Sequence, residues 1–590
     1  MCPYFHKFHL VVSSVREQEV VNYYSVQKKS INFCEKAHVF LRVGRDFMQS
    51  KLLRGTFILT LGTILSKVIG LIYVIPFFQI VGREGTTLYQ FSYVPYTIFI
   101  SVATAGVPLA VSKFISKYNA LEEYAVGRKL FKSGLVIMML TGVMAFLVMY
   151  LAAPTLAEMS VGDKKANLDS VTTVMRAVSF ALIVVPFMSL IRGFFQGHQS
   201  MGPSALSQVV EQIVRIAFTL LGAYAVLHIF NGKMVTAVSV ATFAAFIGAI
   251  GGLFVLFWYW YKRKPYLDEL LTHDKGTIDI SLKDIYKEIL VYAFPFVLVG
   301  IANPLFQAID QFTFSQAMAE IGKAKFAESF FSILNFESHK IVIIPVSLAT
   351  GFSLTLVPSI TRAFVEGEGA SLNQQLNQTF QVLLFLTLPA AIGLSLLAEP
   401  VYTAFYQHDV IGTEVLRAYA PVAILFSLYS VTAAILQGIN EQRFTVLSLL
   451  VGLLIKLSLN IPLIKMMETR GAVLATTLGY VAAILINFIV IKAYARYPFR
   501  LVWRRSLLIF IFAGFMWVGT ELMYKLLLLF LSPASKVQSV IMIVICAAVG
   551  AGIYFYLGLK SGLASRLFGD KLDRIMNKLK LPGRKRSVEN

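Results

Sequence analysis

Apolar residues in this chain come in long runs rather than in the one-sided stripes of a water-soluble helix. Each run holds about 18–25 mostly apolar residues, the length that carries a helix across roughly 30 Å of hydrocarbon. They lie at 55–80, 88–112, 133–154, 172–191, 205–229, 234–261, 287–313, 330–360, 378–398, 415–437, 444–465, 472–494, 506–531 and 537–559. These fourteen runs predict an all-α polytopic membrane protein with 14 transmembrane helices, and they exclude a strand barrel. Pro295, Pro304 and Pro345 interrupt the seventh and eighth runs. Proline is tolerated in a membrane helix where neighbouring helices or a wet cavity satisfy the freed carbonyls.

The polar segments between the runs set the orientation, because Lys and Arg concentrate on the cytoplasmic side. Lys113, Lys117, Arg128, Lys129 and Lys132 follow the second run; Lys262, Arg263, Lys264, Lys275, Lys283 and Lys287 follow the sixth; Lys492, Arg496, Arg500, Arg504 and Arg505 follow the twelfth. All three loops fall on one side, and the basic tail from Lys560 to Arg586 joins them. The loop after the ninth run holds Glu399, Asp409 and Glu414 and no Lys or Arg. Both termini are therefore expected in the cytoplasm of a cell whose plasma membrane the chain spans. The outer loops, roughly 5–18 residues, leave no room for an outer catalytic domain.

Sliding the chain against itself reveals a repeat. FQGHQSMGPSALSQVVEQIVR (195–215) aligns with LQGINEQRFTVLSLLVGLLIK (436–456), matching Gln196 to Gln437, Gly197 to Gly438, Ser207 to Ser448 and Arg215 to Lys456. ATAGVPLAVSKFISK (103–117) lies over LATGFSLTLVPSITR (348–362), and AVSVAT (237–242) over AVLATT (472–477). The repeat predicts two six-helix lobes in parallel orientation, 48–284 and 285–500, with the functional site between them. Residues 501–560 add two helices outside the repeat, 561–590 form a basic cytoplasmic tail, and 1–47 read as a polar N-terminal extension. That extension lacks the apolar core and cleavage site of a secretory signal, and Met48 is the expected native start.

Composition agrees with the pattern: 590 residues, 57% apolar, 14% charged, mean hydropathy +0.70. The net charge of +21 sits in the loops, with no basic groove or interleaved aromatic motif, so it reports topology rather than nucleic acid. Cys2, Cys34 and Cys546 have no ligand-like spacing and are expected to be free thiols. No phosphate-cradling GxxxxGK[ST], HExxH or Cys/His cluster is present, so neither a metal, a cofactor nor a catalytic residue is predicted.

The candidate chemistry lies in ionisable residues within the runs, each costly in hydrocarbon and expected to face the bundle interior or water. They are Lys67, Glu211, Arg215, Asp310, Glu337, His339, Lys340, Lys456, Glu521 and Lys525. Glu211–Arg215 and Glu521–Lys525 are spaced i,i+4 with the acid first, which predicts self-neutralised pairs on neighbouring turns. Lys67 has no such acid, and Lys340 has only Glu337 within reach, so these two are the better candidates for an anion site.

KLLRGTFILTLGTILSKVIGLIYVIPF (51–77), YVPYTIFISVATAGVPLAVSKFISKYNALEEYAVGRKLF (93–131) and RGFFQGHQSMGPSALSQVVEQIVRI (192–216) resemble the Gram-positive MurJ/YtgP type of lipid II flippase. This family belongs to the polysaccharide-exporter branch of the multidrug/oligosaccharidyl-lipid/polysaccharide superfamily. The resemblance runs from Met48 to the end of the fourteenth run. It implies movement of undecaprenyl-pyrophosphate-linked disaccharide-pentapeptide from the inner to the outer leaflet for cell-wall synthesis, alongside membrane lipids and the cell-wall synthesis machinery. The family's first-helix cavity arginine matches Lys67 in SKVIG, which keeps the charge but not the bidentate fork. Its eighth-helix arginine, five residues before a proline, matches Lys340 before Pro345. Two further cavity arginines fall on Tyr73 and on Phe99 or Ile100, leaving Arg192, Arg215 or Lys113 to compensate. The sodium site of some members falls near Asp310, Lys456, Asn460 and Thr476. Lys456 would put an ammonium where the ion sits, so Asp310 and Lys456 are expected to pair across helices. The alternatives are a flippase for another lipid-linked oligosaccharide and a cation-coupled drug exporter. The second fits poorly, because an acidic cavity would suit cationic drugs.

Overall fold

The computed structural model describes most of residues 62–568; residues 1–61, 162–166, 288–296, 348–359, 569–590 and some shorter stretches lie outside the described set. The expected N-terminal extension, the start of the first run, parts of the seventh and eighth, and most of the basic tail therefore fall outside it. Every described element is helical. In chain order they are α1 (Leu65–Ile72), α2 (Val74–Thr104), α3 (Val107–Ala120), α4 (Tyr124–Val161), α5 (Leu168–Gly197), α6 (Met201–Ile229) and α7 (Met234–Thr272). Then follow α8 (Ala302–Glu320), α9 (327–347), α10 (Gly369–Leu396), α11 (Val410–Gly438), α12 (Gln442–Met467), α13 (Thr469–Tyr494), α14 (Arg500–Leu528) and α15 (Lys536–Lys560).

Among the described residues ten helices are long and apolar enough to cross a membrane, or eleven if the bent pair α1–α2 is one span. Several outrun the apolar stretch that predicted them: the run at 133–154 sits inside the 38 residues of α4, and the run at 234–261 inside the 39 of α7. At 1.5 Å per residue α7 is about 58 Å long, far more than the hydrocarbon needs. Its last turns therefore project beyond the lipid, where Arg128 of α4 pairs with Asp268 at 2.8 Å and stacks on Trp260. The first two runs are continuous across Gly82, whose φ of 61° and ψ of −168° break the helix inside α2. A side chain there would be strained, and glycine removes that cost.

Large apolar side chains point outward, among them Leu151, Phe254, Trp503, Phe515 and Leu522. Exposure of this kind is unfavourable in water and natural against lipid tails. Inside, small residues let backbones approach. A Cβ on Gly452 of α12 would meet the Gly479 carbonyl of α13 at 2.8 Å, and one on Gly479 would meet the Gly452 carbonyl at 2.6 Å and the Phe306 ring at 2.8 Å. Gly479→Ala must therefore push two helices apart. It is expected to destabilise the protein by about 1–3 kcal/mol, read as a lower midpoint of thermal unfolding in detergent.

The most extensive packing joins neighbours in sequence, α6 on α7 and α12 on α13, while contact between residues 74–272 and 302–494 runs mainly through α2 against α8 and α9. That seam holds the charged and aromatic groups described next.

Candidate functional site

Two of the predicted cations converge on one tyrosine. Arg215 of α6 donates through Nη2 to the Tyr93 hydroxyl at 2.7 Å, its guanidinium 5.5 Å from the ring centre. Lys340 of α9 places Nζ 5.5 Å from the same ring and 5.8 Å from that of Phe336. Neither has a carboxylate within ion-pair distance among the described residues. Tyr93 belongs to a column on α2: it stacks on Tyr89 at 5.1 Å and abuts Tyr96 at 5.4 Å. The spacing 89, 93, 96 puts all three on one helical face. An aromatic stripe at helical spacing is ordinarily core, so in the sequence alone the column carries no functional signal.

Lys67, the third predicted cation, is on α1 and is exposed to a cavity of about 450 Å³ that it shares with Asn303, Ser430, Gln437 and Tyr480 from the other side of the seam. It too has no carboxylate partner among the described residues. Gln437 stands near the end of α11, a helix of 29 residues that starts beside Asp409. The α11 residues that line the cavity, Phe426 to Gln437, belong to the second half of that helix, away from its Asp409 end.

One of the two local pairings predicted from spacing is replaced by a longer-range one. Glu211 does not neutralise Arg215; it accepts from Arg192 Nη2 at 2.7 Å, while Arg192 Nε reaches Ser207 Oγ at 2.8 Å. Arg192 reaches across the turn between α5 and α6 and satisfies the acid from the side, which releases Arg215 toward Tyr93. Glu337 does not serve Lys340 either, because it is claimed from across the seam. The pair Glu521–Lys525 is formed as spaced, at 3.2 Å, and is largely exposed.

The group that claims Glu337 is Arg83, which follows Gly82 in α2. Its Nε lies 2.9 Å from Glu337 Oε1, Nη2 3.2 Å from Oε2, and Nη1 2.8 Å from Asp409 Oδ2. Tyr402 accepts from Arg83 Nη2 at 3.2 Å and donates to Glu337 Oε2, and Tyr406 donates to the Glu337 carbonyl at 3.0 Å. Glu337 itself is fully buried, within a π-helical turn at Ile333–Ser338 of α9. Such a turn adds a residue to the helix and swings its side chains relative to a regular one. Around the cluster Thr86 bonds Ser332 at 3.2 Å and Phe91 stacks on Phe331 at 4.7 Å. Asp409 is thus no ordinary solvated loop acid: besides holding Arg83, it caps α11 through the Gly412 amide at 3.0 Å.

A third polar centre is buried among α8, α12 and α13. Lys456 Nζ donates to Asp310 Oδ1 at 2.6 Å, Thr476 Oγ1 at 2.8 Å and the Ala472 carbonyl at 3.0 Å. An ammonium has three protons, and all three are used. Asn460, one turn along α12, donates to Thr313 Oγ1 at 2.7 Å. Among the described residues no group of three or more His, Cys, Asp or Glu side chains is placed to hold a metal.

The polysaccharide biosynthesis protein family matches residues 52–364. The lipid II flippase MurJ of Bacillus subtilis (strain 168) is 49% identical over 539 residues, 90% of this chain and 99% of the relative. Among solved structures, the lipid II flippase MurJ in an inward closed conformation aligns with a TM-score of 0.60 at 14% identity, covering 86% of this chain and 99% of that one. A multidrug resistance MATE family transporter of the MOP superfamily, inward-facing, also gives 0.60, at 16% identity, covering 73% and 94%. These two likenesses show the fold alone. The family match over residues 52–364 and the near half-identity over nine-tenths of the chain show that it belongs to the polysaccharide biosynthesis protein family, in the group that holds the lipid II flippase MurJ.

Proposed function

We propose that the chain flips lipid II, an undecaprenyl-pyrophosphate-linked peptidoglycan precursor, from the inner to the outer leaflet by alternating access. The observation that carries the reading is the convergence on Tyr93, from opposite sides of one seam, of Arg215 and Lys340, two cations without a carboxylate partner among the described residues. Groups of this kind are costly within a membrane unless an anion visits them. Together with Lys67 in its cavity they make up the headgroup-binding set, Arg215 supplying the planar fork and the two lysines point charges.

Fourteen helices form two six-helix lobes, 48–284 and 285–500, and a C-terminal pair, with both termini in the cytoplasm; the dominance of packing within each half supports this. In that orientation the Lys67 cavity faces the cytoplasm, and the cluster of Arg83, Glu337, Tyr402 and Asp409 closes the outer side. The diphosphate enters the cavity, the lobes rock, and the outer cluster parts. An apolar groove of about 380 Å³ between α10, α14 and α15, lined by Phe385, Pro389, Met516, Cys546 and Tyr554, supports passage of the polyprenyl tail outside the polar path. Each negative charge leaving a negative cytoplasm gains about 2.3 kcal/mol per 100 mV, so a doubly charged diphosphate gains roughly twice that. Asp310 and Lys456, with Asn460 beside them, act as a built-in cation in place of a bound coupling ion.

The test is depletion of the protein in a strain lacking every other flippase, with outer-leaflet accessibility of lipid II measured against that of other wall-polymer precursors. Lipid II exposure is expected to fall while the other precursors stay unchanged. Unchanged lipid II exposure would reject the reading.

A further inference from the structure

The cavity beside Lys67 has a second wall of different chemistry. Asn303, Ser430 and Gln437 line it together with Phe426, Tyr429 and Tyr480, all from residues beyond 300 and none charged. A site for an anion alone needs cations and donors. Neutral amides and a hydroxyl set among aromatic rings suit a pyranose instead, whose hydroxyl rim both donates and accepts and whose C–H face is apolar. Asn and Gln offer a donor and an acceptor in one side chain, and tyrosine combines an apolar body with a polar tip.

The wall is held in place. Phe426 and Tyr480 meet edge to face at 4.8 Å, as do Tyr429 and Tyr480 at 5.5 Å. Behind them the Asn303 amide lies 3.4 Å from His339 Nε2, whose Nδ1 is 3.0 Å from the Tyr419 hydroxyl. Gln437 is different: its Nε2 is buried and has no hydrogen-bond partner among the described residues. Such a donor costs about 1–3 kcal/mol unless something in the cavity accepts from it. Its repeat counterpart Gln196 does not line this cavity, so the duplicated position has taken on different surroundings in the two halves.

We infer that this wall is a glycan subsite: Asn303, Ser430 and Gln437 bind the sugar carried by the diphosphate, against Tyr429 and Tyr480, while Lys67 across the cavity holds the phosphates. The inference rests on the reading of the chain as a carrier of a lipid-linked glycan. It places selectivity for the sugar in one half of the molecule, across the cavity from Lys67 of the other half.

Binding to the purified full-length chain, measured by native mass spectrometry, tests it with three probes: lipid II, the same lipid bearing its disaccharide without peptide, and undecaprenyl diphosphate. Gln437→Ala and Asn303→Ala are each expected to weaken both sugar-bearing lipids about tenfold while leaving undecaprenyl diphosphate unchanged. Lys67→Ala is expected to weaken all three. Retained binding of undecaprenyl diphosphate also shows that a variant is folded. Equal weakening of all three lipids by Gln437→Ala and Asn303→Ala, or no weakening, overturns the subsite, and so does a loss confined to the peptide-bearing lipid. Wild-type protein that binds none of the three overturns the underlying reading and the subsite with it.

Discussion

Replacing Arg83 with glutamine is expected to unseal the outer side of the molecule and stop transport. Glu337 is fully buried, and its carboxylate is held by two nitrogens of Arg83 while a third holds Asp409. Removing the cation leaves a buried carboxylate uncompensated, a loss of about 3–5 kcal/mol. The loss falls on the closed arrangement alone, because parted lobes would expose Glu337 to water. At about 1.4 kcal/mol per decade it shifts the balance toward the open form by roughly two to three and a half orders of magnitude. The readout is a cysteine placed at Thr86, which is buried against Ser332 in the seam, in a background without Cys2, Cys34 and Cys546. An impermeant thiol reagent applied from outside should label it in Arg83→Gln and not otherwise. Exchanging the charges, Arg83→Glu with Glu337→Arg, is expected to restore protection in part. A seam that stays protected in Arg83→Gln, with transport intact, would show that the cluster does not hold the gate.

Lys456→Ala is expected to have the second largest effect, on stability rather than on gating. The ammonium ties α8, α12 and α13 through Asp310, Thr476 and the Ala472 carbonyl, and the residue is fully buried. Truncation strands Asp310, at a cost of about 3–5 kcal/mol, whereas removing both charges by Asp310→Leu with Lys456→Met is expected to be far milder. The vacated position would be lined by a carboxylate, a hydroxyl and a carbonyl, all oxygen ligands that suit a hard cation. Thermal unfolding of Lys456→Ala should therefore respond to sodium over choline, whereas the wild type should be indifferent. A variant as stable as the parent and unmoved by sodium would sink the idea of a built-in cation.

The residues that mattered were legible in the sequence to very different degrees. Lys67, Arg215, Lys340, Asp310 and Lys456 stood out because a charge inside an apolar run needs a reason, and the structure places three of them without acid partners among the described residues and two against each other. Arg83 did not stand out, because it sits beside a glycine in the turn between two apolar runs, where a charge is ordinarily solvated. Only its partners, 254 and 326 residues away along the chain, make it a buried cluster. The i,i+4 rule failed at Glu211 for a related reason: Arg192 approaches from the preceding helix with a geometry that the neighbouring turn cannot match.

Hydrophobic patterning is enough to establish that the chain is helical, that it spans a membrane many times and which charges it carries within the spans. Run length and the cost of charge in hydrocarbon are local properties, and both can be summed along the chain. Tertiary structure decided which charges cancel and which stay available. A carboxylate buried far from water pairs with whichever cation reaches it at hydrogen-bond distance, and that depends on how helices distant in sequence are brought side by side.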